Sequence, residues 1–305
     1  MAYNVAALSS YVNEQSKVFL YQTVQEGKTI SLIPNLMTGV KSAEKLKIIA
    51  SQGIWQAGGS CGFNASGDTT FTDRTLTVGK MKVNLEFCEK TLESKYTQIQ
   101  LKMGSTYEEL TFEKEIVAIL QNADQYQMER VTWSGDTTSG DAYLSRFDGY
   151  RKIIKAAGAL TTSTSSSTAW SETNARTVVK SFATKLAASL PQLAGMDDLR
   201  LFIGESEYMT LIQKYITDDL YNVNQAGPVY VEGTKIKIEP VPGLSGTAEL
   251  YMMRLSNMYA GTDLEHEEEK YEIWYSKDDD LIKYKKEWKF GVQVAFPSEI
   301  IYYIG

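Results

Sequence analysis

Few residues in this chain are equipped for chemistry. Its single histidine, His266, lies in the run EHEEE. A histidine among carboxylates suits a divalent metal, but consecutive residues on a strand or loop cannot all face one ion. A solvated acidic loop is expected there, and no metal site is assigned. A Ser–His–Asp or Cys–His nucleophile has only this one imidazole to draw on. The two cysteines, Cys61 and Cys88, form no C-x-x-C, so two reduced thiols are expected rather than a bridge or a zinc site. Glu108, Glu109, Glu113 and Glu115 cluster as paired carboxylates would for acid–base work. Nothing apolar in the sequence encloses them, so a solvated helix face is the simpler reading. Neither G-x-G-x-x-G nor G-x-x-x-x-G-K-[ST] occurs. These features point away from an enzyme: no catalytic, cofactor-binding or metal residue is assigned. A carboxylate-dependent hydrolase remains as an alternative.

Charge argues in the same direction. The 305 residues carry a formal net charge of −7, whereas a protein that grips phosphates shows a basic face. The largest basic cluster, Lys283, Lys285, Lys286 and Lys289, adjoins Asp278, Asp279 and Asp280, and is expected as a solvated strand face. The apolar fraction of 43% is enough for a packed core. No basic-then-apolar leader and no run of about 20 apolar residues is seen, so a soluble protein made in the cytoplasm, without membrane contact, is expected.

The elements that would position any site follow from periodicity. The first thirty-odd residues are mixed and polar, as in an extended arm with one helical turn. Leu46, Ile48 and Ala50 alternate with Lys45, Lys47 and Ile49, which predicts a strand. A long loop rich in Gly, Ser, Thr and Asp follows, and a loop of that size inside a domain is usually functional. The returning strand holds Leu76 and Val78 in one phase, then Met81, Val83, Leu85 and Phe87 in the other, which predicts a β-bulge at Gly79–Lys80. Ser105 followed by Glu108 reads as a capping box opening a helix to about Asp124. TTSTSSST, at 161–168, reads as a polar linker and domain boundary. Beyond it come a helix ending at Pro191, a buried strand from Leu199 to Ile203, a helix from Glu207 to Tyr215, a hairpin around Glu232–Gly233 and a strand in GTAELYMMRL. The tail is β-rich, with Trp288, Phe290, Val292, Val294 and Phe296 at period two before Pro297. The class is α+β.

GVKSAEKLKII and RTLTVGKMKVNLEFCEKTLE flank the loop. STYEELTFEKEIVAILQNADQYQMERVTWSGD precedes FDGYRK, and SNMYAGTDLE and EWKFGVQVAFPSEIIYY come late. In this order and spacing the chain resembles the major capsid proteins of tailed bacteriophages with the Hong Kong 97-type fold. The resemblance implies an N-terminal arm (1–39), an extended E-loop (40–90), a peripheral domain with a long spine helix (91–158 and 263–295) and an axial domain (159–262 and 296–305). It implies pentamers and hexamers of identical copies tiling an icosahedral shell in the virion, assembled in the host bacterial cytoplasm. The shell would enclose double-stranded DNA without sequence-specific binding; portal, scaffolding and decoration proteins are further candidate partners. Scaffolding is expected to be a separate protein or absent, since no long coiled segment is read ahead of the arm, and no Lys–Asn–Glu cross-linking set is identified. A nanocompartment shell protein of the encapsulin type shares the implied fold and is a second alternative.

The residues expected to touch a neighbouring subunit lie around the loop: Trp55, Gly58, Gly59, Phe63, Phe71 and Asp73. Aromatic rings on a glycine-rich tip are a liability on a lone monomer and anchors against a partner. The cap generates the first test. Ser105→Ala should lower stability by about 1 kcal/mol in denaturant unfolding, and no change would reject the helix start.

Overall fold

The computed structural model describes residues 27–53, 55, 67–88, 109–218, 227–263 and 270–305. The chain opens with α1 (Lys28–Leu32) and β1 (Asn35–Met37), then β2 (Ala43–Gly53), β3 (Gly67–Thr77) and β4 (Gly79–Phe87). The long helix α2 (Glu109–Ser134), α3 (Tyr150–Ala156) and β5 (Leu160–Thr161) follow. The remainder is α4 (Ala175–Ser189), β6 (Leu199–Gly204), α5 (Glu205–Thr217), β7 (Lys237–Val241), β8 (Glu249–Arg254), β9 (Met258–Thr262), β10 (Lys270–Ser276), β11 (Leu281–Val294) and β12 (Ile301–Ile304). The class is α+β, as expected.

One sheet is organised on β11. Its first half lies between β10 and β4, antiparallel to both, and its last five residues pair with β9, which runs parallel to β1. Alternation along β11 buries Ile282, Tyr284, Trp288, Phe290, Val292 and Val294, as a strand with one face on a core must. A second sheet has the order β5-β12-β8-β6-β7. Helices α4 and α5 cover it with Val178, Val179, Phe182, Leu186, Leu211 and Tyr215, the stripes their 3.6-residue period lays down. A third, two-stranded sheet is the hairpin β2–β3.

Four sequence expectations change. The phase change near Gly79 is not a β-bulge. β3 pairs with β2, β4 pairs with β11, and Val78 alone separates them, so the faces flip because the strand changes partner. Helix α2 runs ten residues past the expected end at Asp124. Met128, Val131 and Trp133 in the added turns are buried, and packing of that face sustains a stretch of modest helix formers. The segment 161–168 is no free tether: the amides of Thr162 and Ser166 donate to the carbonyls of Tyr302 and Ile304, and Thr164 shares a hydroxyl bond with Ser181. The hairpin at Glu232–Gly233 is reduced to a turn with a single bridge, Tyr230 to Lys237, because β7 takes β6 as its partner instead.

The described elements converge on Trp133. It is fully buried, with Tyr150, Phe202 and Tyr251 at ring distances of 5.5, 5.3 and 5.7 Å. Its indole N–H donates to Thr29 Oγ1 at 2.7 Å. Gly243 passes so close that a Cβ there would stand 2.5 Å from the indole ring. Trp133→Ala should therefore cost about 3–5 kcal/mol. Equilibrium denaturation checks this, and a loss below about 1 kcal/mol would show that the convergence is not the keystone.

Candidate functional site

The feature that stands away from the core is the hairpin. β2 and β3 pair over their whole length, from Ala43 opposite Thr77 to Gly53 opposite Gly67, which at about 3.3 Å per residue is a ribbon on the order of 35 Å long. Threonines at 72, 75 and 77 suit β3 because β-branched side chains fit a pleated surface. Among the described side chains, packing is confined to the base and the first residues of the ribbon, as far as Ile48. Leu46 and Leu76, on one face, join Val40 and Val78 in a small apolar cluster with Met37 and Tyr259. On the opposite face Ile49 lies directly across from Phe71, and they are 62% and 73% exposed. The exposed ion pair Lys45–Asp73, at 3.4 Å, shares that face, and Trp55 farther out is 98% exposed. Exposed pairs of this kind add little stability. Uncovered apolar side chains on a ribbon with no core of its own make a surface for contact, with no arrangement for bond chemistry.

The root is held by polar contacts. Gln293 on β11 donates to the Thr75 carbonyl at 2.6 Å and accepts from Arg74 at 3.3 Å. Burial pushes the Arg74 guanidinium below its ordinary value. Gly79 must be bare, since a Cβ there would stand 2.1 Å from the Arg146 carbonyl oxygen.

Behind the root, charges are buried in pairs. Lys286 is fully buried and donates to Asp124 of α2 at 2.7 Å, with the Trp288 ring 4.9 Å away. Burial pulls its ammonium below the ordinary lysine value, against the attraction of Asp124. Lys289 is buried and donates to Asp263 at 2.8 Å. The expected solvated lysine face is thus corrected: half of that cluster points indoors, because β11 is a central strand. Lys283 and Lys285 are the two that stay partly exposed, paired to Asp279 and Glu287. Glu249 is the third buried centre. Arg151 reaches it through two nitrogens at 2.8 and 2.6 Å, Lys155 at 2.8 Å, and Tyr251 through its hydroxyl. Burial opposes its ionisation, but these donors outweigh burial and hold the carboxyl down to about 2.

Two cavities flank Arg146. One, of about 240 Å3, is lined by Met81, Met128, Val131, Trp288 and Asp124; the other, of about 320 Å3, by Phe147, Val292, Gln293 and Asp148. Asp124 is bound to Lys286 and Asp148 to Lys152, so neither cavity brings together the two facing carboxylates a hydrolase of the kind considered needs. Among the described residues no group of three or more His, Cys, Asp or Glu could hold a metal, and no helix is long and apolar enough to cross a membrane.

Of the residues expected at the contact surface, Trp55, Phe71 and Asp73 are on or beyond the hairpin and exposed. Gly58, Gly59 and Phe63 lie outside the described residues, as do the cap residues Ser105 and Glu108, His266 and Cys61. Cys88 is exposed just after β4. Sequence reasoning missed Ile49 as a partner for Phe71, although its place opposite the buried phase of Leu46 and Ile48 is the signal that exposes it.

No protein-family model matches the chain, and no curated protein matches it in sequence. Solved structures do. The chain is similar to one in the satellite phage P4 procapsid including size determination (Sid) protein, with TM-score 0.63 and 11% identity over 95% of this chain and 90% of that one. A structure from Gordonia phage Cozz gives TM-score 0.58 and 13% identity over 90% and 85% of the two chains. The capsid of Myoviridae phage XM1 gives 0.52 and 12% over 92% of each. The protein has a mixed α+β fold of the kind found in phage capsid structures, along nearly its whole length.

Glu249 yields a test with a definite sign. Its folded value lies below the ordinary 4.5, so its contribution is present above that value and is lost as pH falls towards about 2. Glu249→Gln leaves two cations without their counter-charge and should cost about 2–4 kcal/mol near neutral pH. Denaturation midpoints should show the gap between wild type and variant closing in acid; a constant gap would contradict the ion-pair account.

Proposed function

We propose that this chain is the major capsid protein of a tailed phage, a structural subunit and not an enzyme. Copies assemble as pentamers and hexamers into the icosahedral head that encloses double-stranded DNA in the virion. The observation that carries the reading is the hairpin: on a chain of capsid-like fold, it leaves Ile49, Trp55 and Phe71 uncovered by their own subunit. Such side chains are anchors awaiting a partner, and a closed shell of identical copies supplies one to every subunit by symmetry. In this assignment β2–β3 is the E-loop, α2 the spine helix and residues 1–39 the arm, with the peripheral domain at 91–158 and 263–295. The axial domain takes 159–262 and 296–305. A hydrophobic cluster whose buried members come from 175–252 and 301–303 supports that last boundary, while Phe202, Tyr251 and Met253, also within 159–262, join it to the Trp133 core. A net charge of −7 suits a wall that must surround packed DNA without retaining it. Portal, scaffolding and decoration proteins complete the expected partners.

The test separates folding from assembly. A variant carrying Ile49→Ser, Trp55→Ser and Phe71→Ser should stay folded and lose under about 1 kcal/mol, because exposed substitutions cost little. In negative-stain images it should fail to form closed particles where the wild type forms them. Normal closed particles from the folded variant would overturn the assignment of the contact.

A further inference from the structure

The segment at the start of the described chain is fastened by one buried carboxylate. Glu129 on α2 is 3% exposed, and Thr29 on α1 is fully buried against it. The Thr29 amide donates to both carboxylate oxygens at 3.2 Å, and its hydroxyl donates to Oε1 while accepting the Trp133 N–H. A Cβ at Gly27 would stand 3.1 Å from Glu129 Oε2, so the backbone closes directly over the acid. Ile30 and Ile33 complete the seal, at 4% and 7% exposure.

Among the described residues no Lys or Arg pairs with this carboxylate. The charged and titratable groups that face it are exposed Lys28 on α1, Glu205 at the start of α5 and buried Tyr150 on α3. Lys28 favours the anion through space, and Glu205 opposes it. Three walls of the site belong to the core around Trp133. The fourth is α1, five residues long, far below the length at which a helix holds itself together. When the acid ionises, hydration is regained most cheaply by lifting that one wall, a local opening that uncovers Ile30, Ile33 and the Trp133 N–H but leaves α2 and the sheets in place.

We propose that Thr29 and Glu129 form a proton-controlled latch, which holds Gly27–Ile33 against α2 most tightly when the carboxyl is protonated and loosens it when the carboxyl ionises. Burial raises the Glu129 carboxyl above its ordinary value, and the Thr29 hydrogen bonds only partly offset this. The folded value thus lies above the unfolded one. The latch's stabilisation is complete in acid and is lost as pH rises through the folded value. The latch is independent of shell formation.

Hydrogen exchange on the full chain tests it. After correction for intrinsic rates, protection of residues 27–33 should fall severalfold between about pH 5.5 and about pH 8. Glu129→Gln keeps the acceptor and removes the titration, so its protection should be the same at both. Protection that does not change in the wild type, or a fall that persists in the variant, would overturn the proposal. Trypsin cleavage after Lys28 in the wild type, scaled to a free peptide spanning residues 24–33, gives a second reading should the variant fail to fold. It should be slower relative to the peptide at the lower pH, and equal ratios would also overturn the proposal.

Discussion

The larger core of the structure is arranged around the need to bury one indole and satisfy its single N–H. Trp133 sits where a helix from the first half of the chain meets two strands from the second. A ring of this size removed from water is worth several kcal/mol, but its polar hydrogen must find an acceptor. Thr29, more than a hundred residues earlier, provides it. That requirement ties α1 to α2, sets the depth of α2 in the core, and fixes the backbone of Gly243 against the ring. Displacing any one of these elements leaves either a void or an unpaired donor, and both are costly.

Charge plays a different part. Lys286 with Asp124, Lys289 with Asp263, and Glu249 with its two cations are embedded where apolar pairs would serve stability as well or better. What they impose is alignment. Lys286 meets Asp124 only at one rotation of α2 over the β11 sheet, and Glu249 meets Arg151 only if α3 lies across the start of β8. A slip of one residue in β11 in the direction that brings Glu287 inward would turn Lys286 outward and set one carboxylate against another at Asp124. Burial and electrostatics therefore constrain the same joint from two sides.

Much of this architecture is legible in the sequence. The alternations at Leu46 and Ile48, and from Trp288 to Val294, appear as strands with the expected faces buried. The helices ending before Pro191 and containing Leu211 and Tyr215 are where their stripes place them. The errors share a cause, the influence of distant neighbours on local pattern. Val131, Thr132 and Trp133 are indifferent helix formers held in α2 by packing. Lys286 is in phase with Tyr284 and Trp288, so period alone places it indoors, and only its charge argues otherwise. Lys289 is out of phase and buried all the same, because β11 is covered on both faces from Trp288 to Val292. The partnership of Thr29 with Glu129 has no local signature. At the candidate contact surface, the exposed aromatics are readable as residue types, but their distance from the core is not.

The hairpin also has a mechanical consequence. A ladder of continuous backbone pairing is stiff along its length, and among the described residues this one is clamped at a single end, like a cantilever. A sideways load at Trp55 acts with a moment arm many times the width of the clamp. The reaction is borne by the short junction at Val78 and Gly79 and by Gln293. From there the path of force runs along β11 to Lys286 and into α2. A displacement at the outer end therefore reaches the middle of the subunit as a torque on its longest helix, and through the rings around Trp133 it is handed on to β6 and β8 of the second sheet.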